Sequence, residues 1–508
     1  MNEHFLPICV ARHGALRAGR IALIDGAGAL TWGELCREVE SAASALRSAG
    51  LQRGDRIGQF LSNGRDALVA ALATWRIGCV GVPMSPLLTA DQVSTLFADA
   101  QVKAFIAGAP YADIARAVRV DAGVTKFAIG FEGEGFTDWR RCVQGSPGRP
   151  ETFLGLEGDD EASIIYSSGT TGVPKGIVHT LAARHHMAVT LALAMRFDDC
   201  SVALVATPLA SNATWMMILP TLLLGGTLVW LPVFSPAAWM SAVAEHSVTH
   251  AFCVPVMLQA LLATAGLADM KGSPLRMLVS AGSALPIAVK HELRDRLGPV
   301  LFELYGCTEG VGTIAPPETP ADKWGSVGQA LPGAEIAILG ADNRFAAPGT
   351  PGEIIGRSPA LMRGYHRRPD ATADVTWSDP HGRTWLRTGD IGVLDEEHYL
   401  RVVDRVKDMI VSGGLNVYPA DIESVLAQRD DLLESTVIGI AHDKWGEVPA
   451  AIVRPRRSGE FSADELLTWV NARVAKHQRL SAVRISARPL PRNALGKVLK
   501  RELRLQLS

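Results

Sequence analysis

Net charge of one sign is what this sequence has least of: 50 Lys and Arg stand against 52 Asp and Glu over 508 residues, a formal balance of −2. With no basic surplus there is no broad field to hold a polyanion, so nucleic acid is not an expected partner. Cysteine is sparse as well. The seven, Cys9, Cys36, Cys79, Cys142, Cys200, Cys253 and Cys307, lie far apart, with no C-x-x-C pair and no His at zinc spacing. This argues against a disulfide framework and fits a reduced, cytoplasmic chain. Repeats and low-complexity tracts are missing too. The start, MNEHFLPICVARHG, sets Glu3 and His4 before any apolar run, so neither a secretory signal nor a transit peptide is expected.

Charge disappears altogether between Asp199 and Glu245, and the portion 213–234 is long enough to suggest a membrane span. Pro220, Gly225, Gly226 and Pro232 instead cut it into a helix-length piece at 213–224 and a strand-length piece at 227–231. That is the pattern of an α/β element covered on both faces, so no membrane span is expected.

What is present is apolar material in quantity: hydrophobic residues make up 48% and the mean hydropathy is +0.15. A chain of this length exceeds what one core organises, so two or three domains are expected. From 30 to 100 a helical period at 32–49 alternates with short apolar runs at 55–61 and 80–82, bounded by Gly, Asn or Pro. The alternation continues through 201–205, 227–231, 250–254 and 277–280, which predicts a parallel, helix-covered sheet. From 325 to 403 the texture changes to short alternating strands and Gly/Pro turns, a small β-rich subdomain. After the charged linker Asp404-Arg405-Val406-Lys407, a strand at 409–411, a helix opening at Pro419, strands at 435–440 and 450–454, a helix at 463–474 and a strand at 483–486 predict an α+β unit. The expected fold class is therefore α/β: a large N-terminal domain of helix-covered parallel sheets with the β-rich subdomain at 1–403, a linker at 404–407, and a small α+β domain at 408–508.

The segment 166–176, YSSGTTGVPKG, packs hydroxyls, glycines and one lysine directly after an apolar run. Gly169 and Gly172 let the backbone approach an anion, Ser167, Ser168, Thr170 and Thr171 add hydroxyl donors, and Lys175 adds a mobile positive charge. It is not a Walker loop, because Lys175 is followed by Gly176 rather than by a hydroxyl residue. Such a composition also describes an ordinary surface turn, so the segments that follow it decide. LYGCTEG at 304–310 offers the flat face of Tyr305, the hydroxyl of Thr308 and, in Glu309, a carboxylate able to hold magnesium. LRTGDIG at 386–392 sets Asp390 after a Gly turn, where it could accept two ribose hydroxyls or merely cap its own backbone. DRVKDMIVSGGLNVYPADI at 404–422 and LPRNALGKVLKR at 490–501 complete the series; in the latter, Lys497 alone reads as one cation of a basic tail with Arg492, Lys500 and Arg501.

In this order and over this span, the five segments resemble those of the acyl-adenylate-forming superfamily: acyl- and aryl-coenzyme A ligases, adenylation domains of peptide synthetases, and beetle luciferases. The resemblance runs from LTWGEL near Leu30 to Lys497. It implies that Ser167, Ser168, Gly169, Thr170, Thr171, Gly172 and Lys175 wrap the β and γ phosphates of ATP. Tyr305 would stack on adenine, Thr308 and Glu309 would manage the α-phosphate and Mg2+, and Asp390 and Arg405 would hold ribose. Lys497 would bridge the substrate carboxylate and the α-phosphate, stabilising charge during in-line attack. Lys407 maps to a hinge about which the C-terminal domain rotates, so that the turn at 412–415, with Gly414, lines a tunnel for the pantetheine arm. Trp445 matches an aromatic that packs on coenzyme A. The implied activity is an AMP-forming carboxylic acid:coenzyme A ligase using ATP, Mg2+ and coenzyme A. Loading of a carrier-protein phosphopantetheine is the alternative, and a homodimer stays open.

Two departures from the family pattern bear on specificity. Ser211, followed by Asn212, stands where many relatives carry a His that gates the acyl pocket, and KHQRLSAV at 476–483 replaces the usual Tyr-Lys-x-Pro text. The implied acyl pocket draws on Ser211, Asn212, Trp215, Ala281 and Gly282, with Met216, Met217 and Val279 nearby and no cation but Arg276, which is read as capping the sheet rim. A second carboxylate buried there unpaired would be costly, so an apolar monocarboxylic acid, aromatic or medium-chain, is expected.

Overall fold

The computed structural model describes residues 5–146, 155–167, 175–405, 407–412, 415–442, 445–456, 461–492 and 498–507. The chain divides into two compact units, one formed by Met1–Trp324, Gly328–Ile336 and Gly356–Leu386, the other by Gly325–Val327, Ala337–Ile355 and Arg387–Ser508.

Helix starts in the first unit follow local chemistry. The helix Trp32–Ser48 opens on Thr31, whose hydroxyl accepts from the Glu34 N–H while the Glu34 carboxylate accepts from the Thr31 N–H; Thr89 and Gln92 repeat the device at Ala90–Ala100. Each such cap stabilises its helix by about 1 kcal/mol. The apolar faces of these helices cover two sheets. In the nine-stranded sheet the strands Thr227–Trp230, Val202–Val205, His250–Cys253, Met277–Ser280 and Leu301–Gly306 lie side by side in parallel. Antiparallel strands finish its edges, with Gly312–Ala315 on Leu301–Gly306 and Gly28–Thr31 on Ile21–Asp25. The eight-stranded sheet has a parallel body that includes Arg56–Phe60, Val80–Pro83 and Ala104–Gly108. Toward one side it continues in an antiparallel hairpin, Glu161–Ser167 and Lys175–Thr180, with the short strand Gly364–Tyr365 antiparallel at the edge.

The charge-free stretch folds as its Pro and Gly residues dictate. Trp215–Leu224 is a buried helix, Gly225 leaves it in the left-handed region at φ 81°, and Thr227–Trp230 is an interior strand. No helix among the described residues is long and apolar enough to cross a membrane. The helix Leu6–Leu16 and the hairpin were not expected from the sequence, and within the β-rich stretch at 325–403 one strand, Thr384–Leu394, runs for eleven residues rather than being short.

In the second unit, residues beyond the linker form a five-stranded sheet in which Gly446–Pro455 lies between Leu432–His442 and Ile410–Ser412. The helices Pro419–Leu426 and Ala463–Asn471 pack on it through Ile422, Leu426, Leu466 and Val470, a core containing Ile410, Val437 and Val453. Among the described residues the cysteines form no disulfide. Burial pushes the thiols of Cys36 and Cys79 up to about 11 and about 12, and raises those of Cys9, Cys142 and Cys253.

Candidate active site

The hairpin sets the ends of the Gly/Ser/Thr-rich segment: Ser167 stands opposite Lys175 and Tyr166 opposite Gly176. The chain thus leaves and re-enters one ladder across 168–174. Ser168, Gly169, Thr170, Thr171 and Gly172 lie outside the described residues, as do Gly414 and Lys497. The strand end is tied down by the Tyr166 hydroxyl, which donates to Asp99 at 2.6 Å while Arg368 donates to the other Asp99 oxygen at 2.7 Å.

Lys175 and Glu309 come from different motifs and meet on one side chain that the sequence reading missed. Lys175 Nζ lies 4.7 Å from the centre of the Tyr365 ring, a cation–π distance, and the Tyr365 hydroxyl donates to Glu309 Oε1 at 2.8 Å. Burial, with the Glu309 charge beside it, raises the Tyr365 pKa, so the phenol stays a donor. Glu309 is held from behind: its carbonyl accepts from the Met362 N–H at 2.7 Å, and Gly310 closes the turn onto the Cys307 carbonyl at φ 108°. A Cβ on Gly310 would stand 2.3 Å from the Ala360 carbonyl oxygen, so only glycine fits that approach. The Thr308 carbonyl accepts from His179 Nε2 at 2.8 Å. Burial, then the nearby Arg184 charge, holds His179 well below its usual pKa, so the ring is neutral. Tyr305 lies half-buried on Leu301–Gly306, opposite Thr313.

Within the second unit, Asp390 and Arg405 face each other across adjacent strands, with Nε to Oδ1 at 3.1 Å. The preceding turn is fixed by Glu353, which takes a two-pronged contact from Arg387 and the Gly389 N–H. Lys407 is exposed just past that strand, where the Arg405 carbonyl accepts from the N–H groups of Asp408 and Met409. Trp445 is 46% exposed at the start of Gly446–Pro455.

The residues expected to form an acyl pocket gather at the C-terminal ends of parallel strands, where sheets of this type build their sites. Ser211 and Asn212 follow Val202–Val205, and Ala281 and Gly282 follow Met277–Ser280. Trp215 is fully buried behind them; its indole N–H donates to the Leu209 carbonyl and its ring packs on Trp75 at 5.0 Å. The expectation that Arg276 is the one cation here needs correction. Arg276 is tied to Asp198, whereas Arg184, on the helix Leu181–Ala194, is 0% exposed and donates to Asn212 Oδ1 at 2.7 Å and to Ser163 Oγ at 2.8 Å. Its guanidinium also lies 5.5 Å from the Trp215 ring. Arg184 makes no ion pair among the described residues, and desolvation pushes its pKa down to about 9. A signal was available: Arg184 is the one Asp, Glu, Lys or Arg between Lys175 and Arg196.

Residues 10–366 match the family model of the AMP-binding enzymes, and 421–497 match that of the AMP-binding enzyme C-terminal domain. The chain belongs to the AMP-binding enzyme family. Among similar relatives of this AMP-binding enzyme, a feruloyl-CoA synthase of Amycolatopsis is 34% identical over 492 residues, 95% of each chain. The long-chain-fatty-acid–CoA ligase FadD13 of Mycobacterium tuberculosis is 32% identical over 488 residues, covering 94% of this chain and 93% of its own. Among solved structures, the o-succinylbenzoate CoA synthetase (MenE) of Bacillus subtilis, in complex with its acyl-adenylate intermediate, matches with a TM-score of 0.84 and 28% identity over 97% of each chain.

Proposed function

We propose that this AMP-binding enzyme is an AMP-forming carboxylic acid:coenzyme A ligase, with acyl transfer to a carrier-protein thiol as the alternative. The observation that carries the reading is the meeting of Lys175 and Glu309 on Tyr365, which brings a phosphate-seeking cation and a metal-seeking carboxylate together. A carboxylate is a poor electrophile, so its oxygen first attacks the α-phosphorus of ATP, pyrophosphate departs, and R-CO-AMP remains. A thiol then attacks the acyl carbon and AMP leaves.

Roles follow for the residues. The loop residues Ser167, Ser168, Gly169, Thr170, Thr171 and Gly172, with Lys175, take the β and γ phosphates, and Tyr305 takes adenine. Asp390 accepts ribose hydroxyls while Arg405 fixes its carboxylate. Lys497 offsets charge on the carboxylate and α-phosphate. Mg2+ goes to Glu309 with Thr308. Among the described residues no cluster of three His, Cys, Asp or Glu could cage an ion, and one carboxylate completed by substrate phosphates is how this cation is commonly held. When bound, it neutralises charge on the phosphates. Trp445 and Gly414 receive coenzyme A once the domain at 408–508 turns about Lys407. The pocket lined by Ser211, Asn212, Ala281 and Gly282, backed by Trp215, takes an acid with an aromatic or medium-chain body. The relatives named for feruloyl and long-chain acyl groups support that body. A cytoplasmic setting belongs to the same reading.

The test is exchange of labelled pyrophosphate into ATP over a panel of acids, followed by AMP release and thioester formation with coenzyme A. Release of ADP in place of AMP overturns the proposal, and faster turnover with a phosphopantetheinylated carrier than with coenzyme A favours the alternative. Sedimentation of the purified protein distinguishes a monomer from a homodimer.

A further inference from the structure

The buried Arg184 determines what the acyl pocket can offer a ligand. Its Nη1 donates to Asn212 Oδ1, so the Asn212 amide is held with its acceptor turned toward the guanidinium. The other end of that amide, Nδ2, is a pure donor and has no partner among the described residues. In the preceding residue, Ser211 Oγ is a buried hydroxyl atom with no hydrogen-bond partner among the described residues. Asn212 is half-buried, and both residues follow the same strand end. A buried hydroxyl left unpaired is costly, and the half-buried amide of the next residue offers a second donor, so a site of this kind is completed by whatever it binds.

We propose that Ser211 and Asn212 form a donor pair for an oxygen acceptor on the body of the acid, separate from the carboxylate being activated, so the substrate class is an oxygenated acid. The acceptor is a carbonyl, ether, phenol or second carboxylate oxygen. Arg184 is a positioning residue: it touches no substrate and acts by fixing the amide of Asn212. Its charge lies against Trp215 and Ser163 without a carboxylate, which adds a positive potential that favours an acceptor over a donor. This inference rests on the ligase reading and narrows the substrate within it.

The experiment compares kcat/KM in pyrophosphate exchange for acids differing by one oxygen: cinnamic against methoxy- and hydroxycinnamic acid, and a medium-chain acid against its keto and terminal carboxylate analogues. Wild-type protein is expected to prefer at least one oxygenated series by about tenfold or more, because a site built to bond an oxygen rejects the analogue lacking it. The arm that gains identifies which acceptor is taken. Ser211→Ala should lower the ratio. Asn212→Asp pairs with Arg184 through one oxygen and presents the other as an acceptor, so it should lose the oxygen preference and favour an amino-substituted acid. That reversal is a readout a merely structural role would not move. Arg184→Met, which frees the amide to turn over, should lower the ratio mainly through KM; because a buried Arg is a hard residue to remove, the Asn212→Asp comparison decides if that variant fails to fold. Exchange with oxygenated and plain acids at equal efficiency in wild type, or an unchanged ratio in Asn212→Asp, overturns the proposal while leaving the ligase reading intact. Absence of exchange with every acid overturns both.

Discussion

Replacing Tyr365 by Phe removes one hydroxyl and leaves the ring under Lys175 in place, which isolates the bond to Glu309. That bond is 2.8 Å long and runs to a carboxylate oxygen, a class that contributes about 1.5–3 kcal/mol. Both partners are only half-buried, so the lower end applies, and roughly 1.4 kcal/mol corresponds to tenfold in an equilibrium. With one Glu309 oxygen no longer anchored, the carboxylate loses orientation toward Mg2+. In pyrophosphate exchange at saturating acid, the Mg2+ concentration for half-maximal rate is expected to rise about tenfold. The rate at saturating Mg2+ should change less. Tyr365→Leu removes the ring as well, and with it a cation–π contact of about 0.5–1 kcal/mol, so a further two- to five-fold loss should appear in the KM for ATP. An unchanged Mg2+ profile in Tyr365→Phe would refute the argument that this phenol organises Glu309. A Leu variant indistinguishable from the Phe variant would refute the role of the ring under Lys175.

Lys497→Ala should lose adenylation by orders of magnitude while sparing thioester formation from supplied acyl-AMP; equal damage to both half-reactions would count against two uses of one site. Lys407→Pro fixes a backbone dihedral at the proposed pivot and should slow the thioester step more than adenylation, with the opposite order rejecting Lys407. His250 is buried between the Thr249 hydroxyl and the Met195 carbonyl, and burial pushes its pKa down to about 4. Its folded pKa lies below the unfolded value of about 6.5, so its contribution is complete above that pH and is lost as pH falls toward 4, at most roughly 3 kcal/mol. The stability gap between wild type and His250→Gln should therefore narrow from pH 7 to pH 5 in thermal melts, and a pH-independent gap would refute the assignment.

Much of this could be read from the chain because phosphate and nucleotide chemistry is written locally. A loop that wraps an anion needs its glycines and hydroxyls in succession, and 166–176 supplies them; the strands at 202–205, 250–253 and 277–280 were legible because each is an apolar run between breakers. Asp390 was legible only as a choice between turn cap and ribose ligand, since its cross-strand pairing with Arg405 is set by a register that spacing does not reveal. The roles of Tyr365 and Arg184 were illegible for the same reason: their partners, Glu309 and Asn212, are 56 and 28 residues away, and the isolation of Arg184 in an otherwise uncharged stretch marks the residue but not its partner. The hairpin Glu161–Ser167 and Lys175–Thr180 escaped notice because its connection is the functional loop itself, which carries no hairpin-turn dipeptide.

An enzyme that holds an activated acyl group also has to avoid tagging itself. Thiolates are the groups most ready to take such an acyl, and the thiol form is far less reactive. Desolvation keeps Cys9, Cys36, Cys79, Cys142 and Cys253 biased toward the protonated state, with Cys36 and Cys79 pushed up to about 11 and about 12. The same apolar packing that stabilises the large unit therefore keeps these five sulfurs quiet, which favours capture of the intermediate by the delivered thiol.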